Sequence, residues 1–263
     1  MADGGIKMIT VADIMDFMET LAPADLKMDW DNVGLNCGSR TAPVTKILVA
    51  LDPFEHVCNE AVELGAELLI THHPLIFRPW SAVTDDTATS RGLMELVRHG
   101  ISHFCAHTNL DCAVGGVNDV LAATLGLKDA TSVPTDKHSM LRMGTVKAQE
   151  LSDFLNTVKV SLDCDGLRYC NSGKAVHTVA VGGGACADAL QEVLAAGCDT
   201  FVTADVKYNQ FWDAKELGIN LIDAGHFATE NPICAVLAGK LQSAFPEIQV
   251  LLSKKHADCM KFY

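Results

Sequence analysis

The chain has 263 residues, 49% of them hydrophobic and 20% charged, with a formal net charge of -13 at pH 7. This excludes a disordered chain, suffices for one large α/β unit or two lobes, and disfavours long nucleic acid as a partner, because a phosphate backbone calls for a broad basic surface. No apolar run reaches the roughly 18 residues of a membrane span, the start Met1-Ala2-Asp3-Gly4-Gly5 lacks the regions of a signal peptide, and the ten cysteines include no C-x-x-C pair, so a cytoplasmic, membrane-free protein with reduced cysteines is expected.

Thr10 reads as a helix N-cap, with Val11, Ile14, Met15, Met18 and Leu21 on one buried face and Ala22-Pro23 as the stop. Asp29-Trp30-Asp31-Asn32-Val33-Gly34 reads as a turn with a buried indole. Lys46 to Leu51 follows as a strand, then a helix from Val57 to Leu64, a strand ending at Thr71, a helix near Leu93 to Val97 and a strand ending at Ala106. Strands alternating with helices predict a parallel sheet covered by helices. The second half restarts the programme: Val179 to Gly182 mirrors Val49 to Asp52, Ala196 to Thr203 mirrors Leu64 to Thr71, and a further strand from Gly218 reaches Ala224.

The fold class expected is therefore α/β, with two similar lobes, mostly parallel sheets and an internal repeat. The lobes are assigned to residues 1–130 and 131–263, with 131–136 as the linker and the C-terminal part free to pack back on the first lobe.

Three strand ends carry groups that bind metals. The strand ending at Thr71 runs into His72-His73-Pro74, and both imidazoles can serve one site only if the strand has stopped by His73, where Pro74 enforces an extended exit. The next strand leads to His107-Thr108-Asn109-Leu110-Asp111, and its counterpart in the second half to His226-Phe227-Ala228-Thr229-Glu230, each an imidazole followed four residues later by a carboxylate. Both segments are expected in loops, the first because of Gly115-Gly116, the second because Asn231-Pro232 reads as an N-cap with proline at the first helical position.

Open α/β sheets place ligands at the carboxyl ends of their strands. His72, His73, Asp111, His226 and Glu230 are thus the candidate metal ligands, and His107 either ligates or orients a neighbour. Imidazole and carboxylate without thiolate suit zinc, iron, manganese, cobalt or nickel. His56, His99, His103, His138, His177 and His256 are read as surface or satisfied interior residues. Gly182-Gly183-Gly184 reads as a bare turn, with anion binding by its N–H groups as the other option, and Lys207 and Tyr208 read equally as a solvated helix start or as side chains reaching the site.

Trp30-Asp31-Asn32-Val33-Gly34-Leu35, Thr71-His72-His73-Pro74, His107 to Asp111 and Gly225 to Glu230 together closely resemble the Nif-three-like dinuclear metal centre family, often labelled GTP cyclohydrolase 1 type 2. The resemblance covers nearly the whole chain. It implies two α/β lobes with a dinuclear centre in the cleft between them, Glu230 bridging both ions, and a toroidal homohexamer. The family's T-G-[DE]-x-[KR]-x-H segment departs here to Thr203-Ala204-Asp205-Val206-Lys207-Tyr208-Asn209. The function expected is a metal-dependent hydrolase holding two divalent ions, with His107 carrying protons and a small anionic or heterocyclic, nucleotide-like substrate. The other reading is a metal-handling or regulatory interaction protein without turnover.

Overall fold

The computed structural model describes residues 8–134 and 139–263. The opening residues 1–5 and the end of the expected linker, with His138, lie outside them. Eleven strands are described: β1 (Gly34–Cys37), β2 (Lys46–Ala50), β3 (Leu68–Thr71), β4 (Ser102–Cys105), β5 (Lys128–Ser132), β6 (Arg142–Gln149), β7 (Arg168–Cys170), β8 (Val176–Val181), β9 (Thr200–Thr203), β10 (Asn220–Asp223) and β11 (Gln249–Leu252).

They form a five-stranded sheet, β1-β4-β3-β2-β11, and a six-stranded sheet, β5-β6-β8-β9-β10-β7. In the first, β2, β3, β4 and β11 are parallel and β1 is an antiparallel edge. In the second, β8, β9 and β10 are parallel, flanked by antiparallel β6 and β7. The repeat seen in the sequence is thus a repeat of structure: the parallel triad β2-β3-β4 corresponds to β8-β9-β10, and each third strand carries an antiparallel neighbour.

Contacts divide the chain into two units, one of residues up to Leu110 with Cys234–His256, the other Asp111–Ile233 with the residues from Ala257 on. The cut falls at Leu110/Asp111, within the His107 to Asp111 motif. β11 is the reason the first unit is discontinuous, since it pairs with β2 from Gln249↔Lys46 to Leu252↔Val49.

The central strands are near-continuous apolar runs because both faces are covered. Leu68, Leu69 and Ile70 of β3 are fully buried, and Leu48 and Leu69 pack with Val57, Ala61 and Leu96. In the second unit Phe154 anchors one face and Phe201 the other. At about 1.5–3 kcal/mol per fully buried large apolar side chain, these faces hold the strand ends in register.

Helix starts follow the expected chemistry. Thr10 caps Val11–Leu21 through a reciprocal box with Asp13, and Thr87 caps Ala88–Arg98. Among the described residues no helix is long and apolar enough to cross a membrane.

Candidate metal centre

In the first unit, β3 ends at Thr71, so the alternation of the pleat stops before it would send the two following imidazoles to opposite faces. Their rings lie 4.9 Å apart, and His107 joins them at 5.1 Å from His72 and 5.4 Å from His73. One ligand atom from each of the three lies within 4.8 Å of the others.

Each ring is fixed through Nδ1. That of His72 donates to the Ala106 carbonyl at 2.8 Å, that of His73 to Asp52 Oδ1 at 2.7 Å, and that of His107 to Asp31 Oδ1 at 2.8 Å. These acceptors select the tautomer that leaves the Nε2 lone pair available to a metal or a proton, and a carboxylate partner makes the ring more basic.

The two carboxylates are themselves held. Asp31 accepts from Thr108 N at 3.0 Å and Thr108 Oγ1 at 2.5 Å, and Asp52 Oδ2 accepts from His256 Nε2 at 2.8 Å. Burial raises the Asp31 carboxyl, but the bonds from His107 and Thr108 outweigh it and bring it down to about 2. Burial likewise raises Asp52, and the bonds from His256 and His73 carry it well below the carboxylate range. Both stay ionised at neutral pH. Asp31→Asn and Asp52→Asn are each expected to weaken divalent-ion affinity roughly 10- to 100-fold with the fold retained, as read by competition against a chromogenic chelator. Wild-type affinity in both would contradict their orienting role.

His103 belongs to the support of this strand exit. Its Nε2 donates to Thr71 Oγ1 at 2.8 Å, and that hydroxyl donates to the His73 carbonyl at 2.5 Å. The ring is fully buried, and its Nδ1 has no hydrogen-bond partner among the described residues. Burial lowers its pKa from 6.5 to about 3, so the folded state resists a proton that the unfolded chain accepts. The stability this contributes is present above pH 6.5 and is lost as pH falls from there toward 3, with a slope of up to about 1.4 kcal/mol per pH unit. Urea midpoints at pH 7 and pH 5 should fall more steeply for the wild type than for His103→Asn. Equal slopes would contradict this.

In the second unit, β10 ends at Asp223 and Gly225 turns the chain at φ +86 into the helix His226–Glu230. The expectation that this segment is a loop is corrected, as it is for His107 to Asp111, where Thr108–Cys112 is helical. A remote carboxylate satisfies the Thr108 N–H in the first case. In the second Asn231 adopts φ -55, ψ -29 rather than an extended N-cap conformation. Helical spacing has a chemical consequence: residues four apart share a face, and His226 Nε2 lies 3.0 Å from Glu230 Oε2.

Nδ1 of His226 donates to Asp205 Oδ2 at 2.7 Å, repeating the pattern of the first unit. Asp205 holds a left-handed φ of +53, a conformation uncommon outside glycine. Asp111 and Glu230 are 6% and 4% exposed, and their carboxylate oxygens come within 4.8 Å of one another. Two buried carboxylates at that range, with an imidazole beside them, form a donor set that suits a divalent cation.

The glycine triplet is not an anion cradle. Gly183 N donates to Asn118 Oδ1 at 2.7 Å and Gly184 N to Thr229 Oγ1 at 3.0 Å, so these donors are spent inside the protein. What the triplet supplies is room, since a Cβ on Gly184 would overlap Glu230 Oε1. Lys207 is a helix N-cap and Tyr208 is 78% exposed, which matches the solvated helix start.

Trp30 corrects another expectation. Its indole is 60% exposed, 6.1 Å from the His107 ring, and it is Asp31 that turns inward. Sequence reasoning passed over Asp31, Asp52, Asp205 and His256. The signal available was position, since Asp52 follows β2 closely and Asp205 follows β9 closely.

Residues 9–258 match the family model described as Duf34/NIF3 (NGG1p interacting factor 3). The chain belongs to this family. A relative from Clostridium perfringens (strain 13 / Type A), named GTP cyclohydrolase 1 type 2 homolog, is 35% identical over 257 residues, 95% of this chain and 98% of its own. Among solved structures, a Bacillus cereus protein related to NIF3 matches with a TM-score of 0.91 at 25% identity, over 98% of this chain and 100% of its own. Reduced HcgD from Methanocaldococcus jannaschii matches with a TM-score of 0.83 at 28% identity, over 95% and 99%. The fold is therefore the NIF3 fold, with buried His, Asp and Glu groups that suit metal ions. The departure noted in the sequence, Asn209, falls at an exposed position in the first turn of the helix Tyr208–Leu217.

Proposed function

We propose that His72, His73, Asp111, His226 and Glu230 together hold two divalent ions, and that the protein is a metal-dependent hydrolase of a small anionic or heterocyclic, nucleotide-like substrate. The observation that carries this reading is the anchoring of Nδ1 in all four imidazoles, His72, His73, His107 and His226, by a carbonyl or a carboxylate. Rings held this way lose little freedom on coordination and present Nε2 in a fixed direction.

Bound divalent ions supply Lewis acidity and the means to activate water near neutral pH. The chain supplies the rest. Glu230, with two carboxylate oxygens and His226 at one of them, is suited to bridge. His107 exchanges a proton at Nε2, while the ionised Asp31 at Nδ1 stabilises the imidazolium. The exposed Trp30 and Phe77 rings lie 6.1 and 6.2 Å from the His107 ring and flank it.

The name carried by the Clostridium perfringens relative fits a substrate of this class, with opening of a GTP ring as one special case. Cytoplasmic location and assembly into a homohexamer, the latter tested by light scattering, complete the proposal. To test the activity, the metal-loaded protein and Glu230→Ala are screened against nucleotides, phosphoesters and cyclic amides. Turnover that needs both metal and Glu230 is expected; silence across the panel from protein that retains its metal would overturn the hydrolase and leave a metal-handling role.

A further inference from the structure

Beside His73 the first unit holds a pocket of about 480 Å3. Phe54, Phe77 and Trp80 line it, together with Arg78 and Thr89. Aromatic residues make up only 6% of the chain, yet three gather here, and Phe54 and Phe77 remain 51% and 42% exposed. Apolar rings left in water around a concavity are a signature of a binding surface, and the volume falls in the range of small-molecule sites.

The charge pattern is equally local. In a chain with a net charge of -13, Arg78 is exposed and makes no ion pair among the described residues. The carboxylate on the wall, Asp52, is already engaged by His73 Nδ1 and His256 Nε2. Thr89 lies in the first turn of the eleven-residue helix Ala88–Arg98, whose N-terminal end favours negative charge. Ring faces beside an uncommitted guanidinium match a planar ring that carries an anion, through stacking and a charge-assisted fork to phosphate or carboxylate oxygens.

We propose that this pocket is the recognition subsite for the non-reacting part of the substrate, a planar heteroaromatic ring with an anionic group. The ring lies among Phe54, Phe77 and Trp80, and the anion pairs with Arg78. The proposal rests on the metal-centre reading only for the word substrate, because the pocket is defined by residues outside the ligand set apart from His73. His73 on its wall and Phe77, 6.2 Å from the His107 ring, place the subsite next to the imidazole group.

The test uses guanosine 5′-monophosphate, guanosine and inorganic phosphate as probes on the purified full chain, by calorimetry and tryptophan fluorescence, with metal content measured in parallel. Arg78→Gln is expected to weaken the monophosphate roughly tenfold or more, to leave guanosine unchanged and to keep its metal. Trp80→Phe should remove most of the fluorescence response. Monophosphate affinity unchanged in Arg78→Gln, or no binding of any probe by metal-loaded wild type, overturns the subsite while the metal centre stands. Arg78-dependent binding by protein that holds no metal supports the subsite and sinks the metal centre instead.

Discussion

Removing divalent ions from the purified protein with a chelator is expected to lower its melting temperature by roughly 5 to 10 °C. An ion present at about 100 times its dissociation constant stabilises by about 2.7 kcal/mol, and each kcal/mol is worth about 2–4 °C in a chain of this size. The physical source is the pair Asp111 and Glu230, both buried and with oxygens within 4.8 Å. Bringing both carboxylates to the charged form at that range costs about 3 kcal/mol at an effective dielectric of 20, and a bound cation offsets that cost. Asp111→Asn should therefore reverse the order of stabilities: at least as stable as wild type when both are stripped, less stable when both are loaded. A melting temperature indifferent to chelation would remove the basis for this.

Gly184→Ala is expected to lose the metal although residue 184 offers no ligand atom. The backbone there has φ +64, which costs a residue with a Cβ about 1–2 kcal/mol. The new methyl would overlap Glu230 Oε1 and come within 3.1 Å of His226 Nε2, so the two proposed ligands must move. Gly173→Ala is the control, with φ +87 and nothing within 4 Å of its Cβ. Both variants bear the backbone cost, and only Gly184→Ala should lose metal on elemental analysis. Wild-type metal content in Gly184→Ala would show that the triplet is not shaped around Glu230.

The strand ends were legible because parallel strands covered on both faces read as continuous apolar runs, so Leu68 to Thr71 and Asn220 to Asp223 stand out with the chemistry just after them. The groups that fix the imidazoles were not. Asp31 reaches His107 and Asp52 reaches His73 across folds of the chain that no local pattern encodes, and Asp31 sits in a stretch whose composition says only turn. The two short helices failed for a related reason. Five residues are too few for a periodic signal, and what stabilises Thr108–Cys112 is a bond to a carboxylate far back in the sequence. β11 escaped because a short, half-exposed strand without alternation gains its place from β2.

Once the fold is known, each letter of His107-Thr108-Asn109-Leu110-Asp111 has a task. His107 presents Nε2, Thr108 clamps Asp31, Asn109 Nδ2 donates to the Ala22 carbonyl at 2.7 Å, Leu110 is core and Asp111 is a buried carboxylate. The motif encodes polar side chains together with the bonds that hold them still.

Divalent-metal equivalents per chain, measured by elemental analysis of the wild type, His73→Ala and Glu230→Ala, give the most direct test. Two ions per wild-type chain are expected, with a clear loss in each variant. Wild-type protein without divalent metal, or either variant retaining both ions at unchanged affinity, would contradict the proposed pair of ions.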